Sequence, residues 1–277
     1  MVATMLSRPF NSLEGWVTCF AGAEVPVFRC TIERLALLRE REDELAPAEI
    51  GDAVREDPLM TLKLLQFAAR RPSQRAMTDS ETVTSSLLLM GVSPFFRNFE
   101  TVACVEDWLG EDPELLAGLN DVVERAFRAA NLAVSFAVLR ADPDAEVIQE
   151  AALLREFAEM LLWCHAPTLA RTMRRRQLAQ PGLRSAAVQR EVLNIELADL
   201  ERGLMQAWHL PEFLADITDS RNAHLPRVRN VLVAVDIARH SQHGWDNPAL
   251  PDDFKELGEL LNIAPEHARD KAMALED

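Results

Sequence analysis

A chain of 277 residues with 48% apolar content is long enough to bury a substantial core and suits one large domain or two lobes. Its 44 acidic and 29 basic side chains leave a formal charge of −15, so the mean surface field repels phosphate backbones and anionic headgroups and disfavours nucleic acid as a partner. Apolar runs such as 132–139 fall far short of the roughly 20 residues that cross a bilayer, and "WVTCFAGA" at 16–23 lacks the basic flank of a secretory leader.

Cys19, Cys30, Cys104 and Cys164 are scattered without a CxxC pair. This spacing fits reduced thiols in the cytoplasm, read as four small apolar core residues, better than a disulfide frame or a zinc knuckle.

Helix starts recur along the chain at Asp57-Pro58, Asp112-Pro113 and Asp142-Pro143, where the aspartate can accept from free backbone donors and proline takes the first helical position. After the first, Leu62, Leu65 and Ala69 share a face that Leu59 and Leu64 widen, the stripe of a buried amphipathic helix. Thr78 and Glu81 have capping-box spacing, and the apolar segment behind them ends at Gly91.

From Pro113 to about Arg140 the periodic positions run without an internal proline, predicting one long helix or two nearly continuous ones. A helix from Asp142-Pro143 is expected to pass Val147, Ala151, Leu154, Phe157, Leu161 and Cys164 before Pro167 breaks or restarts it. Further helices are predicted around 185–207, 211–219, 226–241, 252–262 and 265–276. The best strand candidate, "NVLVAV" at 230–235, continues into "DIARH" with helical spacing, so the expected fold is all-α, without a regular repeat.

"IGDAVREDPLMTLKLLQFAAR" (50–70) followed by "SETVTSSLLLMGVSPFFRNF" (80–99) resembles the opening of the HDOD domain, a regulatory relative of HD-type metal-dependent phosphohydrolases. Asp57, Pro58, Leu59, Leu64, Leu65, Leu89, Met90 and Gly91 carry this match. Downstream, "AALLREFAEML" (151–161) stands where the family often has Ala-Gly-Leu-Leu-His-Asp-Ile-Gly, and "GLMQAWHLPEFLADI" (203–217) looks like its Leu-Leu-x-x-Trp-x-Leu-Pro segment. The resemblance runs from about Val25 to about His240. It implies an HDOD-like helical lobe (about 26–140) packed on a degenerate HD-like lobe (about 141–240), with 1–25 as an N-terminal extension and 241–277 as C-terminal helices packed on the second lobe.

An HD site needs histidines and aspartates converging from several helices to hold divalent metals that activate water. On the resemblance, the His-Asp ligand pair becomes Arg155 and Glu156, the next histidine falls near Leu197, and the His-His pair falls near Ser220 and Arg221. Asp236 in "VAVDIAR" keeps the later aspartate, but one carboxylate cannot hold a catalytic metal. No metal, cofactor or catalytic residue is therefore expected. Glu156 and Glu159 read as an exposed helical face with Arg155, and His240 and His243 read as helix-terminal or solvent-facing.

No GxSxG, GxGxxG or P-loop pattern occurs. "RTMRRRQ" (171–177), the most basic run, lacks interleaved aromatics and reads as a solvated face. The resemblance implies a non-catalytic bacterial regulatory module in the cytoplasm that acts through signalling proteins, with input from a separate partner and homo-oligomerisation left open. The alternatives are a residual phosphohydrolase using Asp236, Glu156 and a histidine, or a nucleotide or small-ligand sensor using a groove between the lobes.

Overall fold

A computed structural model describes residues 5–70, 82–180, 182–217 and 219–275. Among these residues there is no strand, only an isolated parallel bridge between Val27 and Cys104. The chain opens with α1 (Leu13–Ala21), α2 (Arg29–Arg39), a 3-10 turn (Glu42–Glu44), α3 (Pro47–Arg55) and α4 (Pro58–Ala69). Next come α5 (Val83–Met90), α6 (Val92–Asn98), α7 (Val105–Leu109) and the long α8 (Pro113–Leu139). α9 (Ala145–Leu154), α10 (Phe157–His165), α11 (Pro167–Ala179), α12 (Ser185–Leu193) and α13 (Leu197–Trp208) follow. The last part holds α14 (Glu212–Asp216), a 3-10 turn (Ser220–Asn222), α15 (Pro226–His240), α16 (Leu250–Leu261) and α17 (Pro265–Ala274).

Two compact units result. The first comprises the described residues up to Val122 together with Glu156–Pro211, and the second Val123–Arg155 together with those from Glu212 onward. The division differs from contiguous lobes meeting at residue 140, because α8, 27 residues and thus about 40 Å long, runs through the boundary at Val122–Val123.

In the first unit, Asp57 shows how sequence punctuation becomes tertiary structure. Its Oδ1 accepts from the Leu59 and Met60 amides at 2.9 and 3.1 Å, capping α4, while Oδ2 accepts from the Phe28 amide at 2.9 Å and so fixes the start of α2. The carboxylate is fully buried; burial pushes its pKa up, against the pull of these donors and the Thr31 side chain. Thr82 and Ser85 form the capping box of α5, each side chain accepting from the other's amide, whereas the expected box at Thr78 and Glu81 lies outside the described residues. Gly91, at φ +82°, then joins α5 to α6.

Residues expected as an N-terminal extension belong to the core of this unit. The Trp16 and Trp208 indoles donate to the Leu193 and Ala21 carbonyls, both at 3.0 Å, tying α1 to the segment around α13. A Cβ on Gly203 would meet Val17 Cγ2 at 2.5 Å, and one on Gly118 would stand 2.2 Å from the Trp163 ring. Both glycines allow a close approach that any side chain would block.

The helix expected to run unbroken from Asp142-Pro143 to Cys164 is two helices, α9 and α10. α9 starts only at Ala145, because Asp142 Oδ1 instead accepts from the Asp144 amide at 3.1 Å in a turn behind Ala141. At the other end Glu156 leaves the helical region (φ −120°, ψ 24°), and its carbonyl accepts from the Glu159 and Met160 amides to begin α10. Ala151–Leu154 and Met160–His165 are buried all round, which one straight amphipathic stripe could not achieve, and the helix breaks between them.

The cysteines also depart from expectation: only Cys164 is buried, Cys19 and Cys104 are half-buried, and Cys30 is exposed. Cys104 Sγ donates to Glu106 at 3.0 Å, so its position in the Val27–Cys104 bridge, not apolar packing, sets its surroundings.

Candidate functional site

The residues that the resemblance aligns with a metal site are divided between the two units. Arg155 closes α9 and Asp236 lies on α15, both in the second unit, where these two helices pack together. Glu156 and Leu197 open α10 and α13 in the first unit. Glu156 is buried and Glu159 half-buried, so the exposed carboxylate face expected there is not present. Leu197 is hydrocarbon in the core, and its amide donates to Gln189 Oε1 at 2.9 Å. Ser220 opens the 3-10 turn, and Arg221, well exposed, forks onto Asp219 with Nε and Nη2.

What gathers around Asp236 is a mixed-charge group. Arg239 Nη1 stands 3.6 Å from Asp236 Oδ1, and His240 Nδ1 lies 2.6 Å from Asp253 Oδ2 in the first turn of α16. Burial raises the Asp236 pKa, opposed by the charges of Arg239, His240 and Arg155 and assisted by that of Asp253. His240 is shifted upward, chiefly by its hydrogen bond to Asp253, with burial opposing. A cationic imidazole at the C-terminal end of α15 also suits the negative end of the helix dipole. His240 is thus helix-terminal as expected, but the sequence reading missed its partner: Asp253 is thirteen residues on, at the start of the antiparallel neighbour.

A guanidinium always carries its proton and offers no lone pair to a metal. With Arg155 bearing on Asp236, a leucine at 197 and Arg221 engaged with Asp219, these side chains do not fit a divalent metal. Among the described residues no three His, Cys, Asp or Glu side chains converge as ligands. His165 lies elsewhere: its Nε2 is 2.9 Å from the Glu24 carbonyl, Trp108 and Phe20 flank its ring, and burial lowers its pKa.

The basic run on α11 is neutralised from within the first unit. Arg171 pairs with Asp112 and Glu114, Arg174 with Asp121, and Arg176 with Glu191. Arg175 places Nε and Nη2 at 3.0 and 2.8 Å from the two oxygens of Glu114. The run read as a solvated face is a row of ion pairs joining α11 to α8 and α12. Among the described residues, no helix is long and apolar enough to cross a membrane.

The model of the HDOD domain family matches residues 25–224. No curated protein matches. Among solved structures, the chain is similar to the MmoQ response regulator from Methylococcus capsulatus (TM-score 0.63, 18% identity, covering 87% of this chain and 99% of that one). It is also similar to a virulence factor from Campylobacter jejuni (0.64, 17%, 90% and 89%) and to an HDOD domain protein of unknown function from Geobacter sulfurreducens (0.50, 14%, 95% and 95%). At these identities the likeness is one of fold.

Proposed function

This chain belongs to the HDOD family, and from that premise we propose that it is a non-catalytic cytoplasmic signalling module that works by contact with other proteins. The observation that carries the reading is Arg155. From α9, which packs on α15, it brings a permanent positive charge to bear on Asp236, the carboxylate kept from the HD pattern, where a metal-dependent hydrolase would concentrate neutral imidazoles and carboxylates. The signalling role is carried over from the family and from the response regulator whose fold the chain shares.

The test has two arms. Purified protein is assayed for bound Mn, Fe and Zn and for turnover of phosphodiesters and nucleotides. Stoichiometric metal together with hydrolysis that disappears in Asp236→Ala would overturn the proposal. In the second arm, Arg155→His with Glu156→Asp is expected to leave the protein without hydrolase activity, because Leu197 and Arg221 still supply no ligand; recovery of turnover in this double variant would refute the reading.

A further inference from the structure

Beneath α2 and α6, within the first unit, lies a cleft of about 380 Å³. Ile32, Leu35 and Ala36 of α2 form one wall, and Phe95, Phe96 and Phe99 form the other. Leu35, Phe95 and Phe96 are buried, which fixes the floor to the hydrophobic core, whereas Ala36 is exposed and Ile32 and Phe99 are half-exposed. The aromatic rings brace one another: Phe95 meets Phe96 and Phe99 at centroid separations of 5.3 and 5.0 Å, and Phe67 supports Phe99 at 5.2 Å. A ring held on several sides is not free to swing in and fill the space, and the volume suits one large side chain with its neighbours.

The mouth of this cleft is acidic. Arg39, the only basic side chain lining it among the described residues, donates to Glu100 at 3.1 Å. Glu40 lines the same mouth, and Glu42, Asp43 and Glu44 follow at once in the 3-10 turn after α2. Arg41, between them, is taken up by Glu49. The side chains of Glu40, Glu42, Asp43 and Glu44 make no ion pair or hydrogen bond among the described residues, so Glu40 lines the cleft without a counter-charge among them and three more such carboxylates follow within four residues of it along the chain.

We propose that this cleft docks a basic amphipathic segment of a partner protein, with one bulky apolar side chain seated among Phe95, Phe96 and Phe99 and its lysines or arginines against Glu40 and Glu42–Glu44. The proposal rests on the protein-contact reading above and adds the face and the partner's chemistry. Charge selects this occupant: acidic segments and nucleic acid are repelled, and a second copy meeting the same face would bring one acidic rim against another. An apolar anchor ringed by complementary charge is the arrangement by which helices bind in grooves.

The probe is a fluorescein-labelled helical peptide of about 18 residues, roughly five turns, with leucines and a central tryptophan on one face and lysines on the other. It is titrated against the full chain and followed by anisotropy. Saturable binding that weakens with salt is expected. Ala36→Lys, at an exposed wall of the cleft, and the triple variant Glu42→Lys, Asp43→Lys, Glu44→Lys should each weaken it about tenfold or more, the loss of one strong interface contact. Leu37→Gln, beside Ala36 but outside the cleft and without a change of charge, should leave it unchanged, with melting curves confirming that every variant folds.

Absence of saturable binding, equal binding of a peptide with glutamates in place of the lysines, or full affinity in Ala36→Lys overturns the proposal. So does self-association of the chain that Ala36→Lys abolishes. A defined cellular partner cross-linked equally by the wild type and Ala36→Lys would refute the cleft and leave the protein-contact reading standing. Metal-dependent hydrolysis would strike that reading itself.

Discussion

Replacing Asp57 by alanine removes the one acceptor shared by the Phe28, Leu59 and Met60 amides. Loss of an N-cap costs about 1 kcal/mol, within a range of roughly 0.5–2. A buried amide left without an acceptor, as at Phe28, adds about 1–3 kcal/mol. Part of this is offset because the variant no longer desolvates a carboxylate whose pKa burial has raised, so a net loss of about 2–3 kcal/mol is expected. Asp57→Ser separates the contributions: it retains a capping oxygen for α4 but cannot reach Phe28, and should lose about 1–2 kcal/mol. Urea unfolding followed by tryptophan fluorescence suits the measurement, since Trp16, Trp108, Trp163 and Trp208 all lie in the same unit as Asp57. If Asp57→Ala stays within about 0.5 kcal/mol of wild type at an unchanged m-value, or Asp57→Ser costs as much as Asp57→Ala, the shared-acceptor argument fails.

Gly118→Ala drives a methyl into the Trp163 ring and should cost about 1–3 kcal/mol, read as a lowered Tm; an unchanged Tm would mean that the ring moves aside freely. His240 has a folded pKa above its ordinary 6.5, so the advantage of wild type over His240→Gln should be present at about pH 6 and fade as pH rises through the raised value; an advantage that grows with pH would contradict the Asp253 hydrogen bond. Asp236 has a folded pKa above its ordinary 3.8, but its side chain is 45% exposed, so ionisation opposes folding only weakly. Asp236→Asn should raise Tm slightly at neutral pH, with the small gain vanishing as pH falls below that ordinary value, which a pH series of melting curves checks.

The sequence by itself determined the helical class, the starts at Pro58 and Pro113, the unbroken run of α8 and the order of the HDOD motifs, because capping chemistry and apolar periodicity are local and act within a few residues. That Arg155, Leu197 and Arg221 fall where the resemblance would align HD-type ligands is an expectation drawn from the sequence alone, since residue identity requires no coordinates. Tertiary structure alone decided the break between Arg155 and Glu156, which no proline or glycine announces and which arises because both segments must bury every side. Only packing could show that α1 belongs to the core through Trp16, and that Asp253 reaches His240 from the next helix. Likewise, the arginines of α11 looked solvated in sequence because their partners Asp112, Glu114 and Asp121 lie more than fifty residues away, and pairing at that distance is set by how helices cross, not by how residues are spaced along one of them.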